Sequence, residues 1–144
     1  MQSDIVISDC ADEKEFLDSV RINGLFKYNM EKTGGKLKIP DIDIVKAARD
    51  KDGNIAGGIS ASTYLSALEV EVLWVGEQYR GQSIASRLLE EVENEAKEAG
   101  CVISYLTTYS FQAPEFYRKN GYEICGEVDG FPDGIKLYVL KKNL

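Results

Sequence analysis

The chain has 144 residues, 44% hydrophobic and 28% charged, which suits one folded domain with its own core (1–144) and excludes a disordered chain. Its 17 basic residues against 24 acidic ones leave a net charge of −7; this disfavours nucleic acid as a partner and is compatible with a cationic one, although such acidity alone serves solubility. There is no histidine, so His-based triads, His general bases and most zinc sites are excluded, no metal is expected, and acid–base chemistry falls to Glu, Asp, Tyr, Lys or Cys.

Ile5 to Ile7 reads as a short apolar strand. Asp12 then stands as a helix N-cap, with Glu15 three residues on as its capping-box partner. Phe16, Leu17, Val20, Leu25 and Phe26 give a helical stripe that fails near Thr33-Gly34-Gly35. Asp41 to Arg49 and Ile55 to Tyr64 are two strands around Lys51-Asp52-Gly53-Asn54, a strong hairpin signal. Ala67 to Val75 is the next strand, alternating Glu69, Glu71 and Leu73 with Val70, Val72 and Trp74.

The clearest helix follows. Ile84, Ala85, Leu88, Leu89, Val92, Ala96 and Ala99 share one face, with Arg87/Glu91 and Glu93/Lys97 as i, i+4 pairs elsewhere. Gly100 is its terminating glycine. Val102 to Thr108 is a strand and Ala113 to Asn120 a short helix that tolerates Pro114 in its first turn. Tyr122 to Val128 and Ile135 to Leu140 form a closing hairpin across residues 129–134. The order, β-α-β-β-β-α-β-α-β-β, predicts a mixed α/β sheet with helices on its faces.

No apolar stretch is long enough to span a membrane. The start, MQSDIVISDC, lacks the pattern of a signal peptide, which makes the cytoplasm the expected compartment. Cys10, Cys101 and Cys125 are far apart, form no CxxC pair, and read as small thiols in a reducing environment.

The turn Val75-Gly76-Glu77-Gln78-Tyr79-Arg80-Gly81-Gln82-Ser83-Ile84-Ala85 carries the first chemical signal. Small residues at 81, 83 and 85 let backbone approach a ligand closely. The first amides of the following helix lack internal partners, and with the helix dipole they favour a bound phosphate. Arg80 adds a forked cationic donor. A plain strand-to-helix turn with a solvated arginine has the same local pattern. There is no GxxxxGK[ST], and no GxGxxG follows the first strand, so a P-loop and a Rossmann dinucleotide site are both disfavoured.

Arg80-Gly81-Gln82-Ser83-Ile84-Ala85 resembles the Arg/Gln-x-x-Gly-x-Gly/Ala signature of the GNAT acyl-CoA N-acyltransferases, with Ser83 where glycine is usual. Phe116-Tyr117-Arg118-Lys119-Asn120-Gly121-Tyr122, inside the stretch Ser110 to Glu123, is similar to the family's later FYxxxGY motif. The element order fits along nearly the whole chain. The tail from Ser110 to Leu144 is closest to a bacterial subgroup of uncertain acceptor. The resemblance implies a mixed, mostly antiparallel central sheet with helices on both faces, and an acetyl-CoA co-substrate. The family's loop holds the pyrophosphate of CoA through backbone amides, which here assigns Arg80, Gly81, Gln82, Ser83, Ile84 and Ala85. Serine at 83 costs little if its φ is negative and strains the loop if φ is positive.

The reaction so implied makes three demands: a base to neutralise the attacking ammonium, an N–H to face the thioester oxyanion, and an acid for the leaving thiolate. The resemblance assigns the strand end Leu73-Trp74-Val75 to the pantetheine arm and acetyl carbonyl, Tyr117 to protonation of the thiolate, and Gln112 to the arm, where many relatives carry asparagine. Glu69, six residues before Val75, is the leading base, with Glu71 second or as a holder of a cationic acceptor. Burial beside another carboxylate would raise the pKa of either and suit it to that role. Plain core or solvated-strand roles account for each of these residues equally simply. Thr107 stands where close relatives carry Asp. The resemblance implies a small-molecule amine acceptor, with Phe26, Tyr28, Met30, Asp129, Phe131 and Asp133 as residues facing it. It leaves open a protein acetyltransferase, a CoA-binding sensor without turnover, and a homodimer paired through the last hairpin.

Overall fold

The computed structural model describes residues 4–36 and 42–144. They belong to two compact units, the first holding residues 4–36 and the second residues 42–144.

In the first unit, residues 4–12 carry no regular element, and the expected strand at Ile5–Ile7 is not formed. A strand persists only where its backbone groups find a ladder, and the described part of this unit offers only helix. Asp12 caps as expected: its carboxylate accepts from the backbone N–H of Lys14 at 3.1 Å and of Glu15 at 3.2 Å. The helix runs as α1 (Glu13–Phe16), a widened ten-residue stretch (Leu17–Phe26) and α2 (Lys27–Lys32). Such widening rarely exceeds a single turn; here the Asn23 amide reaches back to the Asp18 carbonyl at 2.8 Å. Gly34 and Gly35, both at positive φ, follow the helix end, as the sequence predicts.

The second unit is a six-stranded sheet with two helices. The strands are β1 (Asp43–Arg49), β2 (Ile55–Tyr64), β3 (Ala67–Val75), β4 (Ile103–Tyr109), β5 (Glu123–Val128) and β6 (Leu137–Asn143), in the order β1-β2-β3-β4-β6-β5. Every neighbouring pair is antiparallel except β3–β4. Asp41, expected at the start of the first of these strands, lies outside the described residues. The β1–β2 turn closes on the predicted Asp-Gly, with Gly53 at positive φ. The β2–β3 turn is tighter: Leu65 and Ser66 take φ of 53° and 60° without glycine's freedom.

Helix α3 (Ile84–Glu98) places Leu88, Leu89, Val92 and Ala96 in one buried cluster with Leu68 and Val70 of β3, Leu106 of β4 and Leu140 of β6. Each large apolar side chain buried this way contributes about 1.5–3 kcal/mol. Gly100 ends the helix at positive φ: its amide bonds to the Lys97 carbonyl, and that of Cys101 to the Ala96 carbonyl. Glu93 corrects the surface pairing expected with Lys97. It turns inward, is buried, and holds both carboxylate oxygens 2.9 Å from Lys142 Nζ on β6. Helix α4 (Pro114–Lys119) contributes Tyr117 to the same buried cluster, and Tyr122 beyond it shares a 2.7 Å hydroxyl hydrogen bond with Ser104 of β4. Within this unit α3 and α4 therefore cover the same face of the sheet.

The opposite face of β3 carries Glu69 and Glu71. A bulge sets Ser60 against Val72 and Ala61 against Val70, leaving Glu71 as the extra residue. The β3–β4 ladder is short. It pairs Ala67 with Ile103, Leu68 with Ser104 and Glu69 with Tyr105, and ends there. Beyond that point β3 stays on β2 as far as Val75, and β4 stays on β6 as far as Tyr109. The sheet is split by a wedge whose apex is Glu69–Tyr105.

Candidate active site

The wedge exposes one edge of β3. The Gly76 N–H donates to the Ala56 carbonyl at 2.8 Å and so faces β2. Strand alternation then turns the N–H groups of Val75 and Leu73 to the open edge. The Val75 carbonyl, on that same edge, accepts from Arg80 Nε at 3.2 Å. Trp74 behaves otherwise. Its carbonyl lies so close to Gly57 that a Cβ there would sit 2.6 Å away, so its backbone belongs to the β2 ladder. Of the three expected strand-end residues, Leu73 and Val75 present amides to the wedge, while Trp74 offers only an exposed indole.

At the outer end of β3 the chain passes a short turn (Glu77–Tyr79) and enters α3. Gly81 and Ser83 both adopt left-handed backbone, with φ of 82° and 60°. Ser83 is thus in the strained of its two expected states. As N-cap it forms no side-chain cap bond, so the first α3 amides remain without partners in the helix. Val75, Arg80, Gly81, Ser83, Ile84, Ala85 and Phe116 enclose a cleft of about 240 Å3. Gln82 is turned away from it, into a larger cleft of about 540 Å3 that also takes in Arg49, Asp50 and Arg87. Tyr79 stands between the two and donates to Asp50 at 2.7 Å, which holds the Asp50 carboxyl below its usual range. The larger cleft includes no residue of the open β3 edge and so lacks the donors a thioester needs.

Tyr117 is buried on the helix-covered face, edge-on to Phe116 and Tyr122 at centroid distances of 5.1 and 5.9 Å. Its hydroxyl makes no hydrogen bond among the described residues, so its oxygen is not fully sealed from solvent, while burial of the side chain pushes the phenol above its ordinary pKa. It therefore stays protonated through the neutral range. Gln112 closes the end of β4: its side-chain oxygen accepts from the Tyr109 amide at 2.7 Å and the Thr108 hydroxyl at 3.2 Å. The NH2 group is left as its donor toward a ligand.

Glu69 and Glu71 are both exposed, so the burial expected to tune them is not found. Each instead has its own donor: Tyr105 Oη at 3.2 Å from Glu69, and Ser62 Oγ at 2.8 Å from Glu71. Thr107 is exposed two residues beyond Tyr105 on the same face of β4. The β5–β6 loop reaches the wedge side through Phe131, whose ring meets Tyr109 edge-on at 5.6 Å, while Phe111 stacks on Tyr109 at 5.4 Å. Phe26, Tyr28 and Met30 lie on the helix of the first unit. Sequence reasoning missed Tyr105 and Gly57, because cross-strand register alone gives them their places.

Among the described residues no group of His, Cys, Asp and Glu is arranged to hold a metal ion, and no helix is long and apolar enough to cross a membrane.

Residues 42–124, more than half of the chain, match the family model of the acetyltransferase (GNAT) domain. The chain is 38% identical over 93 residues to blasticidin-S acetyltransferase of Streptomyces morookaense, covering 64% of this chain and 68% of that one. Its fold matches the crystal structure of an acetyltransferase from Bacillus cereus with a TM-score of 0.86 and 34% identity over 97% of both chains. It also matches a streptothricin acetyltransferase from Bacillus anthracis, solved in complex with acetyl coenzyme A. That likeness is one of fold: TM-score 0.65 and 22% identity, over 73% of this chain and 64% of that one.

Proposed function

The chain belongs to the GNAT acetyltransferase family, and from that premise we propose that it moves the acetyl group of acetyl-CoA directly onto a primary amine of a small molecule. The observation that carries this reading is the wedge. The parting of β3 from β4 after Glu69–Tyr105 frees the Leu73 and Val75 amides, on a line that leads to the cleft at Arg80–Ala85.

In this reading the Gly81 turn and the first α3 amides, with Arg80, bind the pyrophosphate of the donor. The Leu73 and Val75 amides and the Gln112 NH2 bind its arm and the acetyl carbonyl. Glu69 takes a proton from the acceptor's ammonium group, directly or through water. The amine nitrogen then bonds to the carbonyl carbon while a β3 amide stabilises the oxyanion. The carbon–sulfur bond breaks and the Tyr117 proton goes to sulfur; the second proton on the acylated nitrogen is released to solvent, which also restores Tyr117. Neither a metal nor a redox group is required by these steps. The similarity to an antibiotic acetyltransferase supports a small-molecule acceptor, and the exposed carboxylates of Glu69 and Glu71 support a cationic one.

The test is thermal unfolding with acetyl-CoA, CoA or NADH, followed by thiol release from acetyl-CoA against aminonucleosides, polyamines, amino acids and a lysine peptide. A ligand at 100 times its Kd stabilises by about 2.7 kcal/mol. The expected result is a shift with acetyl-CoA and CoA but not NADH, and thiol release with one cationic small amine. Release with the peptide alone moves the acceptor to proteins, a shift without turnover makes the chain a sensor, and no shift at millimolar acetyl-CoA refutes the proposal.

A further inference from the structure

Glu69 poses a problem that the family pattern leaves open. It is a long, exposed side chain on a strand face, and an exposed carboxylate with free rotamers has no fixed aim. A base must stand within hydrogen-bond reach of the proton it removes. Something has to hold it, and the register shows what is available.

Glu69 and Tyr105 are the last pair of the β3–β4 ladder, directly at the apex. The Tyr105 hydroxyl donates to Glu69 Oε2 at 3.2 Å, leaving Oε1 for another partner. The preceding pair, Leu68 and Ser104, is fully buried under the helices. Side chains alternate along a strand, so Glu69 and Tyr105 stand on the other face, where both are exposed. From Val75, where the cleft begins, to Glu69 is six residues, about 20 Å of extended strand. The dyad thus lies at the inner end of the wedge, opposite the phosphate-binding turn. Glu71 is kept apart by a different donor, Ser62. Partial burial and the Glu69 carboxylate together push the Tyr105 phenol upward, so it remains a donor at neutral pH.

We propose that Tyr105 is a positioning residue for the acetyl transfer: its phenol holds the Glu69 carboxylate at the wedge apex, turned to the incoming amine. This rests on Glu69 serving as the base, and the experiment separates the two ideas. Steady-state kinetics with acetyl-CoA and the most active amine would be run on Tyr105→Phe, Glu69→Gln, their double variant and Tyr105→Leu. The expected result is a kcat about tenfold lower for Tyr105→Phe, with KM for acetyl-CoA and the melting temperature unchanged, and no further loss when Phe is added to Glu69→Gln. Tyr105→Leu should be no worse in kcat than Tyr105→Phe, because the hydroxyl is the part at work. Equal losses from Tyr105→Phe with and without Glu69, or a normal Phe variant beside a poor Leu one, overturn the positioning role while leaving the base intact. Full activity in Glu69→Gln overturns the base assignment and the positioning role together.

Discussion

Gly57→Ala is the substitution that most directly loads the proposed donor-binding edge without touching it. A Cβ at residue 57 would lie 2.6 Å from the Trp74 carbonyl oxygen and about as tightly, 3.0 Å, from Val75 Cγ2. Ordinary carbon–oxygen contacts begin near 3.3 Å, so β3 must retreat by roughly 0.7 Å, and the contact is with backbone that no rotamer can clear. Overpacking of this kind costs about 1–3 kcal/mol, and at this chain length each kcal/mol lowers the melting temperature by about 2–4 °C. The retreating segment carries the Leu73 and Val75 amides. If both hydrogen bonds to the donor's arm are weakened, at about 0.5–1.5 kcal/mol each, affinity for acetyl-CoA falls about tenfold. Calorimetric titration with acetyl-CoA and a thermal melt read both quantities. Gly58→Ala is the control: its nearest contact is the Lys46 carbonyl at 3.1 Å, on β1 at the sheet edge, which can yield without moving β3. Gly58→Ala should bind acetyl-CoA normally. Wild-type affinity and stability in Gly57→Ala, or an equal loss of binding in Gly58→Ala, would refute the reasoning.

Tyr117→Phe should lower kcat about 100-fold, the lower end of general acid catalysis. Its melting temperature should hold, since the hydroxyl has no partner to abandon among the described residues; unchanged kcat in stopped-time thiol release would remove Tyr117 from the chemistry. At Ser83, held at φ 60°, Ser83→Gly relieves about 1 kcal/mol of strain but gains comparable unfolded-state entropy. Urea unfolding should therefore find it nearly neutral, and Ser83→Val clearly destabilised; similar midpoints for Val and Ser would mean the turn is not left-handed. Lys142→Met leaves the buried Glu93 carboxylate without its ammonium and should cost about 3 kcal/mol. Glu93→Gln should cost less, because the more exposed Lys142 can turn to solvent; the reverse ranking in urea melts would contradict the inward pairing. The buried Tyr117 and Tyr122 both have raised pKa values, with burial the largest cause. In the unfolded chain these phenols ionise near pH 10, so the unfolded state loses protons first and stability falls as pH rises beyond that point. Urea midpoints should agree at pH 7 and 9 and drop by pH 11, and an unchanged midpoint at pH 11 would show that these rings are not buried.

What the sequence disclosed and what it withheld follow one physical division. Asp12, Gly53 and Gly100 act on neighbours a few residues away, and all three took the cap or turn positions that local geometry requires. Glu93 misled because the i, i+4 rule knows only its own helix, whereas Lys142 lies 49 residues away and offers a buried carboxylate a closer partner. Ile5–Ile7 misled for the opposite reason: its β pattern is sound, but a strand is a relation between two segments. Only the family resemblance, through the strand end Leu73–Val75, pointed to the wedge; the residue pattern did not, since the wedge consists of hydrogen bonds not made by strands whose residues look ordinary. Once the register is known, the division of labour follows. Alternation along β3 sends Leu68 and Val70 under the helices and Glu69 to the open face, while α4 brings Tyr117 in on the helix side. Burial on that side keeps a phenol neutral and able to donate. Exposure on the other leaves a carboxylate reachable by a charged amine. In the proposed reaction one wedge would thus be served by an acid and a base approaching from opposite faces of the sheet.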